Sequence, residues 1–310
     1  MLRLGLCCQF YNVPIKFRST TAKSLLRLER SEQLVRLNQL CLENSRTLIA
    51  ALDEVERLGI GAFRVLSPLF PLYTHPQVGY RIDDLAGAGE IRHLLDVVQQ
   101  RKEACRLRLS FHPDQFVLLS SPHSRVTESS LQELAYQAEL AELIGADVIN
   151  IHAGGVYGDK PAALQRLAQQ IEKLPATIRR RLTLENDDQS YSVADLIPFC
   201  EAHRIPLVYD VHHHRCNPDG LSIAQATSAC LESWERAGRE PYLHISSPKQ
   251  GWNKNPKPHA DYIDYADFPE EWFGLKATLD VEAKAKEAAV LRLKEELSLP
   301  DWAEQEEKYG

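Results

Sequence analysis

A carboxylate and three imidazoles stand together at the end of one apolar run of the chain. The run is Leu207 to Val211, whose β-branched and aromatic residues predict a buried strand; it contains Asp210 and leads into His212-His213-His214. Carboxylate oxygen and neutral imidazole nitrogen are the ligands of Zn²⁺, Mn²⁺ or Fe²⁺, whereas Ca²⁺ and Mg²⁺ prefer oxygen almost alone. The stretch therefore predicts a transition-metal site, with a histidine-rich surface loop as the alternative.

The same kinds of side chain recur at the ends of other predicted strands. Six successive strands deliver an imidazole or a carboxylate, namely His112, His152, Glu185, Asp210 with His213, His244 and Glu282. Each one alone has a structural explanation, because buried histidines are usually hydrogen-bonded and glutamates are usually solvated. Two further histidines, His75 and His259, lie in predicted loops that could reach the same edge. Together they indicate a shared site.

These side chains outnumber the ligands that one four- to six-coordinate ion can use. We therefore expect several ions, with carboxylates such as Glu185 bridging them. Such a site lowers the pKa of a bound water and holds the attacking and leaving oxygens of a phosphodiester in line. Bound cations also reverse the local potential, so a polyanionic substrate remains compatible with an acidic chain. Phosphodiester hydrolysis is the predicted chemistry.

The elements that position these residues alternate regularly between strand and helix. Strands are predicted at 3–8, 62–66, 107–111, 147–151, 182–185, 207–211, 242–246 and 277–281. Helices are predicted at 31–58, 88–104, 129–144, 160–173, 192–202, 222–236, 269–274 and 283–297. Repeated strand-helix units imply parallel strands with right-handed crossovers, and eight of them most simply close into a (β/α)8 TIM barrel with its site at the C-terminal face. A doubly wound open sheet is the alternative, but no Gly-x-Gly-x-x-Gly follows the first strand.

The domain organisation and the surroundings follow from composition. We predict one barrel domain over 1–298 and a polar tail over 299–310, with no linker dividing the barrel. The formal charge is −7, so any contact with nucleic acid must be local; basic clusters occur at 16–18, 179–181 and 249–257, with a solvated surface as the alternative for each. Seven cysteines without Cys-x-x-Cys, no leader sequence and no long apolar run predict a soluble, cytoplasmic protein, which we expect to be a monomer.

Eight ordered motifs give the chain a specific resemblance. They are FHPDQF, NIHAGG, TLEND, YDVHHH, NPDG, HISSPK, HADYI and VEAKAKE, and in this order the chain resembles the ultraviolet damage endonucleases over essentially its whole length. The resemblance implies a barrel related to endonuclease IV that nicks damaged duplex DNA immediately 5′ to a lesion. It implies three divalent ions, commonly Mn²⁺ with Zn²⁺, Co²⁺ or Mg²⁺ as alternatives. The implied ligands are His112, His152, Glu185, Asp210, His213, His244, His259 and Glu282, and His75 matches an additional catalytic histidine.

The resemblance also implies which residues recognise damage, and two residues of the chain differ from the family pattern. Family members push a Gln-Tyr pair into the duplex, and the matching residues are Gln115 and Phe116, which keep the stacking ring and lose the hydroxyl. The alternative is that Phe116 packs beneath the rim. Tyr242 stands where members usually have a lysine that can be modified beside the metals, and Leu6 stands where members often have a tyrosine. Tyr242 can donate a hydrogen bond or approach a phenolate, but it cannot carry that modification.

Three other functions remain open from the sequence. A metal-dependent sugar isomerase or epimerase would use the same barrel and the carboxylates of strands five to eight, but it needs fewer imidazoles and no wedge. An apurinic-site endonuclease would share almost all of the chemistry. A damage-binding protein that no longer cuts is conceivable because of Tyr242.

Overall fold

Eight strands form the centre of the molecule. The structure is a computed structural model that describes residues 1–309, with side chains described through residue 305. The strands are β1 Leu2–Cys7, β2 Ala62–Val65, β3 Arg108–Phe111, β4 Val148–His152, β5 Leu182–Glu185, β6 Leu207–Asp210, β7 Tyr242–Ile245 and β8 Ala277–Val281. Every neighbouring pair is parallel, and β8 pairs with β1 through Leu2 opposite Ala277 to close the barrel. The predicted (β/α)8 barrel is confirmed.

Helices connect the strands on the outside. They are α1 Ala22–Leu25, α2 Arg30–Arg57, α3 Ala88–Ala104, α4 Ser124–Ile144, α5 Lys160–Lys173, α6 Ala176–Arg179, α7 Val193–His203, α8 Val211–Cys216, α9 Ile223–Arg236, α10 Glu287–Glu296 and α11 Trp302–Tyr309. Short 3₁₀ turns occur at Ile82–Asp84, Tyr265–Asp267 and Glu270–Trp272. The apolar faces of the helices pack on the outward faces of the strands and form one continuous core.

The sequence placed most elements within two residues of their observed ends, and the exceptions have local causes. The helix predicted to begin at 129 begins at Ser124, because its first turn is polar and breaks the apolar period. The helix predicted from 283 begins only at Glu287: the backbone N–H groups of Lys284 and Ala285 donate to the carbonyls of Ala260 and Asp261. The helix predicted at 269–274 is instead a 3₁₀ turn at Glu270–Trp272.

Polar side chains are buried in the barrel, among them that of Asp280. Gly5 on β1 pairs with Ala62 on β2 and Asp280 on β8, and a Cβ at residue 5 would lie 2.1 Å from the Asp280 carboxylate. A glycine is therefore required there, because it leaves the space in which the Asp280 side chain lies. The Asp280 carboxylate lies one residue before the C-terminal end of β8, next to the site described below.

The opposite end of the barrel is closed by charged and aromatic side chains. Arg3 pairs with Glu240 at 3.0 Å, and its guanidinium lies 3.7 Å from the centre of the Trp302 ring. The segment predicted as a polar tail thus contributes a buried tryptophan at the start of α11, while Gly310 lies outside the described residues. The division at residue 298 stays a prediction. In the part of the chain that the structure describes, no helix has the length and apolar character needed to cross a membrane.

Candidate metal centre

The strand ends bring the predicted ligands to one rim. His152, Glu185 and Asp210 are the last residues of β4, β5 and β6, and His112 and Glu282 directly follow β3 and β8. Parallel strands end at the same face of a barrel, so side chains that are distant in sequence meet there. His244 lies one residue before the end of β7, His213 lies on α8, and His259 lies in the loop after β7.

Glu185 is the centre of this arrangement. It is fully buried, and its carboxylate contacts three histidines: His112 Nε2 at 3.0 Å, His244 Nδ1 at 3.1 Å and His213 Nδ1 at 3.3 Å. Asn150, two residues before His152 on β4, also donates to it. Burial alone would raise the pKa of Glu185, but His244, His152 and His112 hold it well below its ordinary value. The carboxylate is therefore ionised, which is the form that binds a metal ion.

Three overlapping groups have donor atoms close enough to share an ion. The groups are His112 with His152 and Glu185, His112 with His244 and Glu282, and Glu185 with Asp210 and His213; within each, the donor atoms lie within 4.8 Å of one another. His112 and Glu185 each belong to two groups. This overlap is what a site for several neighbouring ions needs, because a shared ligand can bridge two of them.

Local structure orients Asp210 and His213. Asp210 caps α8: its Oδ1 accepts from the backbone N–H of His213 at 2.8 Å, which leaves Oδ2 buried without a hydrogen-bond partner. The Nδ1 of His213 lies 2.9 Å from the carbonyl oxygen of Asn186. A carbonyl can only accept, so Nδ1 carries the proton and Nε2 is free to bind an ion. The sequence predicted that strand six extends to residue 211, and it did not predict helix α8. In the structure the strand ends at Asp210, which caps α8 and so orients both Asp210 and His213.

The chemistry of the donor set fits divalent transition-metal ions. Unpartnered buried polar atoms are costly, yet His112 Nδ1, His152 Nδ1 and Asp210 Oδ2 are all buried without a hydrogen bond. Burial also lowers the pKa of His152, which favours the neutral imidazole that ligates metals. Buried nitrogen and carboxylate oxygen atoms in one cluster are typical of Mn²⁺, Fe²⁺ or Zn²⁺ sites.

Arg64 on β2 is a residue of the cluster that the sequence did not predict. Its buried guanidinium donates to Glu282 Oε1 at 2.6 Å and to Asp280 Oδ2 at 3.0 Å, and it lies 3.0 Å from His244 Nε2. Burial raises the pKa of Glu282, but Arg64 and then His244 hold it below its ordinary value. The available signal was a charged residue inside the otherwise apolar run 62–66.

The remaining predicted histidines lie at the edge of the cluster. His259 Nδ1 is 3.7 Å from Glu282 Oε2, but His259 belongs to none of the three groups in the described residues. His75 lies in the loop after β2, where its Nδ1 accepts from the backbone N–H groups of Gln77 and Val78. Within residues 1–305, His75 forms no hydrogen bond or ring contact with the predicted ligands.

The other two histidines of the triplet, His212 and His214, are buried and contact different residues. His214 bonds to the Tyr209 hydroxyl at 2.7 Å and to Asp219 at 3.1 Å, which is a structural role. The His212 ring lies 5.2 Å from both the Trp252 and the His259 rings and supports the loop that carries His259.

The predicted damage-recognition pair lies beside the cluster. Gln115 lines a groove of about 390 Å³ together with His152, His213, Lys257 and His259. Phe116 is 73% exposed, the largest exposed fraction among the big apolar side chains of residues 1–305, so it does not pack beneath the rim. Its backbone N–H donates to Asp114 Oδ1 at 3.2 Å, which fixes the turn that presents the ring.

The two residues that differ from the pattern of the resembling family, Leu6 and Tyr242, are both buried. Leu6 lies in the core on β1, and Tyr242 lies one pleat below His244, with the Arg108 guanidinium 4.3 Å from its ring centre. Burial, reinforced by Asp280, raises the pKa of the Tyr242 phenol, so the surrounding groups of the chain favour its neutral form. Its hydroxyl has no hydrogen-bond partner among the described residues.

Comparison with known proteins gives consistent matches over the length of the chain. Residues 2–307 match the sequence model of the family described as UV-endonuclease UvdE. A UV DNA damage endonuclease of Bacillus velezensis is 35% identical over 301 residues, covering 91% of this chain and 88% of that protein. The crystal structure of SacUVDE matches with a TM-score of 0.83 and 28% identity, covering 96% of this chain and 99% of that one. Endonuclease IV from Thermus thermophilus shares the fold, with a TM-score of 0.60 and 16% identity over 96% and 98% of the two chains.

Proposed function

This chain belongs to the UV-endonuclease UvdE family, and from that premise we propose that it is a metal-dependent DNA repair endonuclease. Its substrate is damaged double-stranded DNA, in which it hydrolyses the phosphodiester bond immediately 5′ to ultraviolet photoproducts or other lesions. The cofactor is a group of divalent ions, three in number, with Mn²⁺ favoured over Zn²⁺, Co²⁺ or Mg²⁺. Action as a cytoplasmic monomer stays a prediction.

The observation that carries the proposal is the position of Glu185. It is fully buried, yet it contacts His112, His213 and His244, which come from three separate segments. A lone carboxylate is rarely buried unless it is paired or bound to a metal. We assign His112, His152, Glu185, Asp210, His213, His244, His259 and Glu282 as the ligands. Bound there, the ions would supply an activated water and neutralise charge on the phosphate that is cut.

The chain's own residues account for the remaining steps. Gln115 and Phe116 would enter the duplex at a lesion, where unstacking costs less than in intact DNA, so damage is selected without base-specific contacts. His75 is proposed as the catalytic histidine: backbone N–H groups donate to its Nδ1, so Nε2 carries the proton and can donate a hydrogen bond to the phosphate or to the leaving oxygen. Tyr242 lies two residues before His244 on β7 and packs under the Arg108 guanidinium, and we assign it no part in proton transfer.

The test joins metal analysis to an incision assay. Purified protein is analysed for bound metals and then incubated with Mn²⁺ and supercoiled plasmid, either irradiated with ultraviolet light or not. We expect relaxation of the irradiated plasmid only, and the nick should map to the 5′ side of photoproducts in an end-labelled duplex. Protein with bound ions that leaves irradiated plasmid intact would contradict the proposal.

The same assay distinguishes the alternatives. An apurinic-site endonuclease would cut depurinated plasmid and spare irradiated plasmid. A damage-binding protein would shift an irradiated duplex on a gel without cutting it. A sugar isomerase would act on neither DNA, and the exposed ring of Phe116 would have no use there. We favour damage incision because Gln115 lines the groove that also contains His152 and His213, and the ring of the next residue, Phe116, is exposed.

A further inference from the structure

A second groove opens beside the candidate metal centre, at the mouth between β1 and β8. It has a volume of about 560 Å³, and its polar lining includes Arg64, Lys257, His259, Glu282, Lys284 and Lys286. We refer to these residues as the lysine groove. Three lysines line one groove of a chain whose formal charge is −7, so the local charge is opposite to that of the whole molecule.

The positive charges of the lysine groove differ in how they are balanced. Arg64 is paired with Asp280 and Glu282, and Lys257 lies 3.2 Å from Asp188. Lys284 and Lys286 have no ion pair and no side-chain hydrogen bond within residues 1–305. Lys284 and Lys286 are two residues apart and line the same groove, and unpaired cations in a groove attract anions, so this part of the groove suits a ligand that carries negative charge.

The lysine groove is continuous with the groove over the metal centre. Lys257 and His259 line both of them, and the far end of the groove over the metal centre carries Gln115. A strand that enters beside Gln115 would pass His152 and His213, cross Lys257 and reach Lys284. The fold holds the Lys284 end of this path, because the Lys284 N–H donates to the Ala260 carbonyl at 3.1 Å.

We propose that Lys284 and Lys286 form a second phosphate subsite, which holds a phosphodiester of the cut strand next to the one at the metal centre. The inference rests on the proposed function. Lysine suits this task because its ammonium is a mobile point charge that contacts a phosphate without demanding one geometry or reading the bases. Such contacts position the strand and add affinity equally for damaged and intact duplex.

The experiment measures the salt dependence of DNA binding by the metal-loaded protein. The probe is a short undamaged duplex, which is not cut, and its affinity is followed by fluorescence anisotropy over a range of KCl. In the variant Lys284→Gln/Lys286→Gln, the slope of log K against log [salt] should shrink by about 0.9 for each phosphate that the variant no longer neutralises. Incision of an irradiated duplex should show a raised KM, kcat within about twofold of wild type, and an unchanged metal content.

Two further variants separate charge from fold. Lys173→Gln/Lys276→Gln removes two exposed lysines, one at the end of α5 and one just before β8, at the opposite end of the barrel, and should keep the wild-type slope. Lys284→Arg/Lys286→Arg keeps both charges and should keep the slope as well. If the double glutamine variant does not fold, Lys284→Gln alone carries the test, because its side chain is exposed.

The outcomes distinguish this subsite from the proposed function. An unchanged slope in the glutamine variants overturns the subsite, while continued incision by the wild-type protein still supports the endonuclease. A smaller slope in the arginine variant also overturns it, because the charge would then not be the cause. Wild-type protein that neither binds nor cuts DNA in the presence of Mn²⁺ overturns both proposals together.

Discussion

The guanidinium of Arg64 donates to the carboxylate of Glu282 at 2.6 Å, although Glu282 also belongs to one of the three groups that could hold an ion. The arginine therefore supplies a fixed positive charge at the edge of the candidate metal centre. Arg64 lies on β2, which, like β1, contributes none of the proposed ligands. Its charge is paired with both Asp280 and Glu282.

Replacing Arg64 tests this balance. Arg64→Met keeps much of the side-chain volume but leaves two buried carboxylates without their cation, which should cost about 3–5 kcal/mol of stability. Mn²⁺ can restore part of that charge, so the melting temperature of the variant should rise more on adding Mn²⁺ than that of wild type. Thermal melts with chelator and with Mn²⁺ measure both values, and equal metal-dependent rises in the two proteins would contradict the idea.

Glu185→Gln should remove metal and activity together while the barrel stays folded. The amide keeps the volume of Glu185 and loses the charge that contacts three histidines. Incision should fall by about 100-fold or more, and the metal content should drop. Glu172→Gln, an exposed glutamate on α5, is the matched control and should change neither. Circular dichroism checks the fold, and full activity in the Glu185 variant would refute the ligand assignment.

Removal of the metal ions should lower stability in the wild-type protein. Ions that bind only the folded state stabilise it by about 2.7 kcal/mol when their concentration is 100 times Kd. Dialysis against a chelator should therefore lower the melting temperature by several degrees, and Mn²⁺ should restore it. Since Glu185 joins two of the three groups, the chelator should shift Glu185→Gln far less. If the chelator leaves the melting temperature of the wild-type protein unchanged, the cluster does not hold ions.

The sequence predicted the barrel and the positions of the strand-end residues that we propose as ligands, for a physical reason. Parallel strands carry their C-terminal ends to one rim, so the position of His152 or Glu185 along its own strand already fixes its place in the fold. Contacts across the barrel are not encoded in this way. The carboxylates that pair with Arg64 lie on β8 and directly after it, more than two hundred residues away, and no local pattern identifies them.

Local geometry that depends on tertiary contacts also could not be predicted from the sequence. The late start of α10 follows from hydrogen bonds between Lys284 and Ala260 and between Ala285 and Asp261, which join segments that are separate in the chain. The same contacts place Lys284 in the lysine groove. The sequence showed where its lysines are, but an unpaired charge is defined by the absence of neighbours, which only the folded chain reveals.

The pair Gln115 and Phe116 should control discrimination. Phe116 is exposed on the rim, and stacking of a base on an aromatic ring contributes about 1–3 kcal/mol. Gln115→Ala/Phe116→Ala should therefore reduce the preference for irradiated over intact duplex by about tenfold while metal content is unchanged. Phe273→Ala, which removes an exposed ring just before β8, is the control. Discrimination that survives in the double variant would place damage recognition elsewhere.

Tyr242→Phe tests whether Tyr242, at a position where the resemblance implies a lysine, acts through its hydroxyl. The ring packs under the Arg108 guanidinium, whereas the hydroxyl is buried without a hydrogen-bond partner in the described chain. Deleting an unpartnered buried polar group is neutral or stabilising, so the free energy of unfolding should change by less than about 1 kcal/mol and incision should persist. Tyr242→Leu, which also removes the ring from Arg108, should cost more. If Tyr242→Phe alone abolished incision with the metal content intact, the hydroxyl would act on the reaction, and the role of Tyr242 would not be limited to packing.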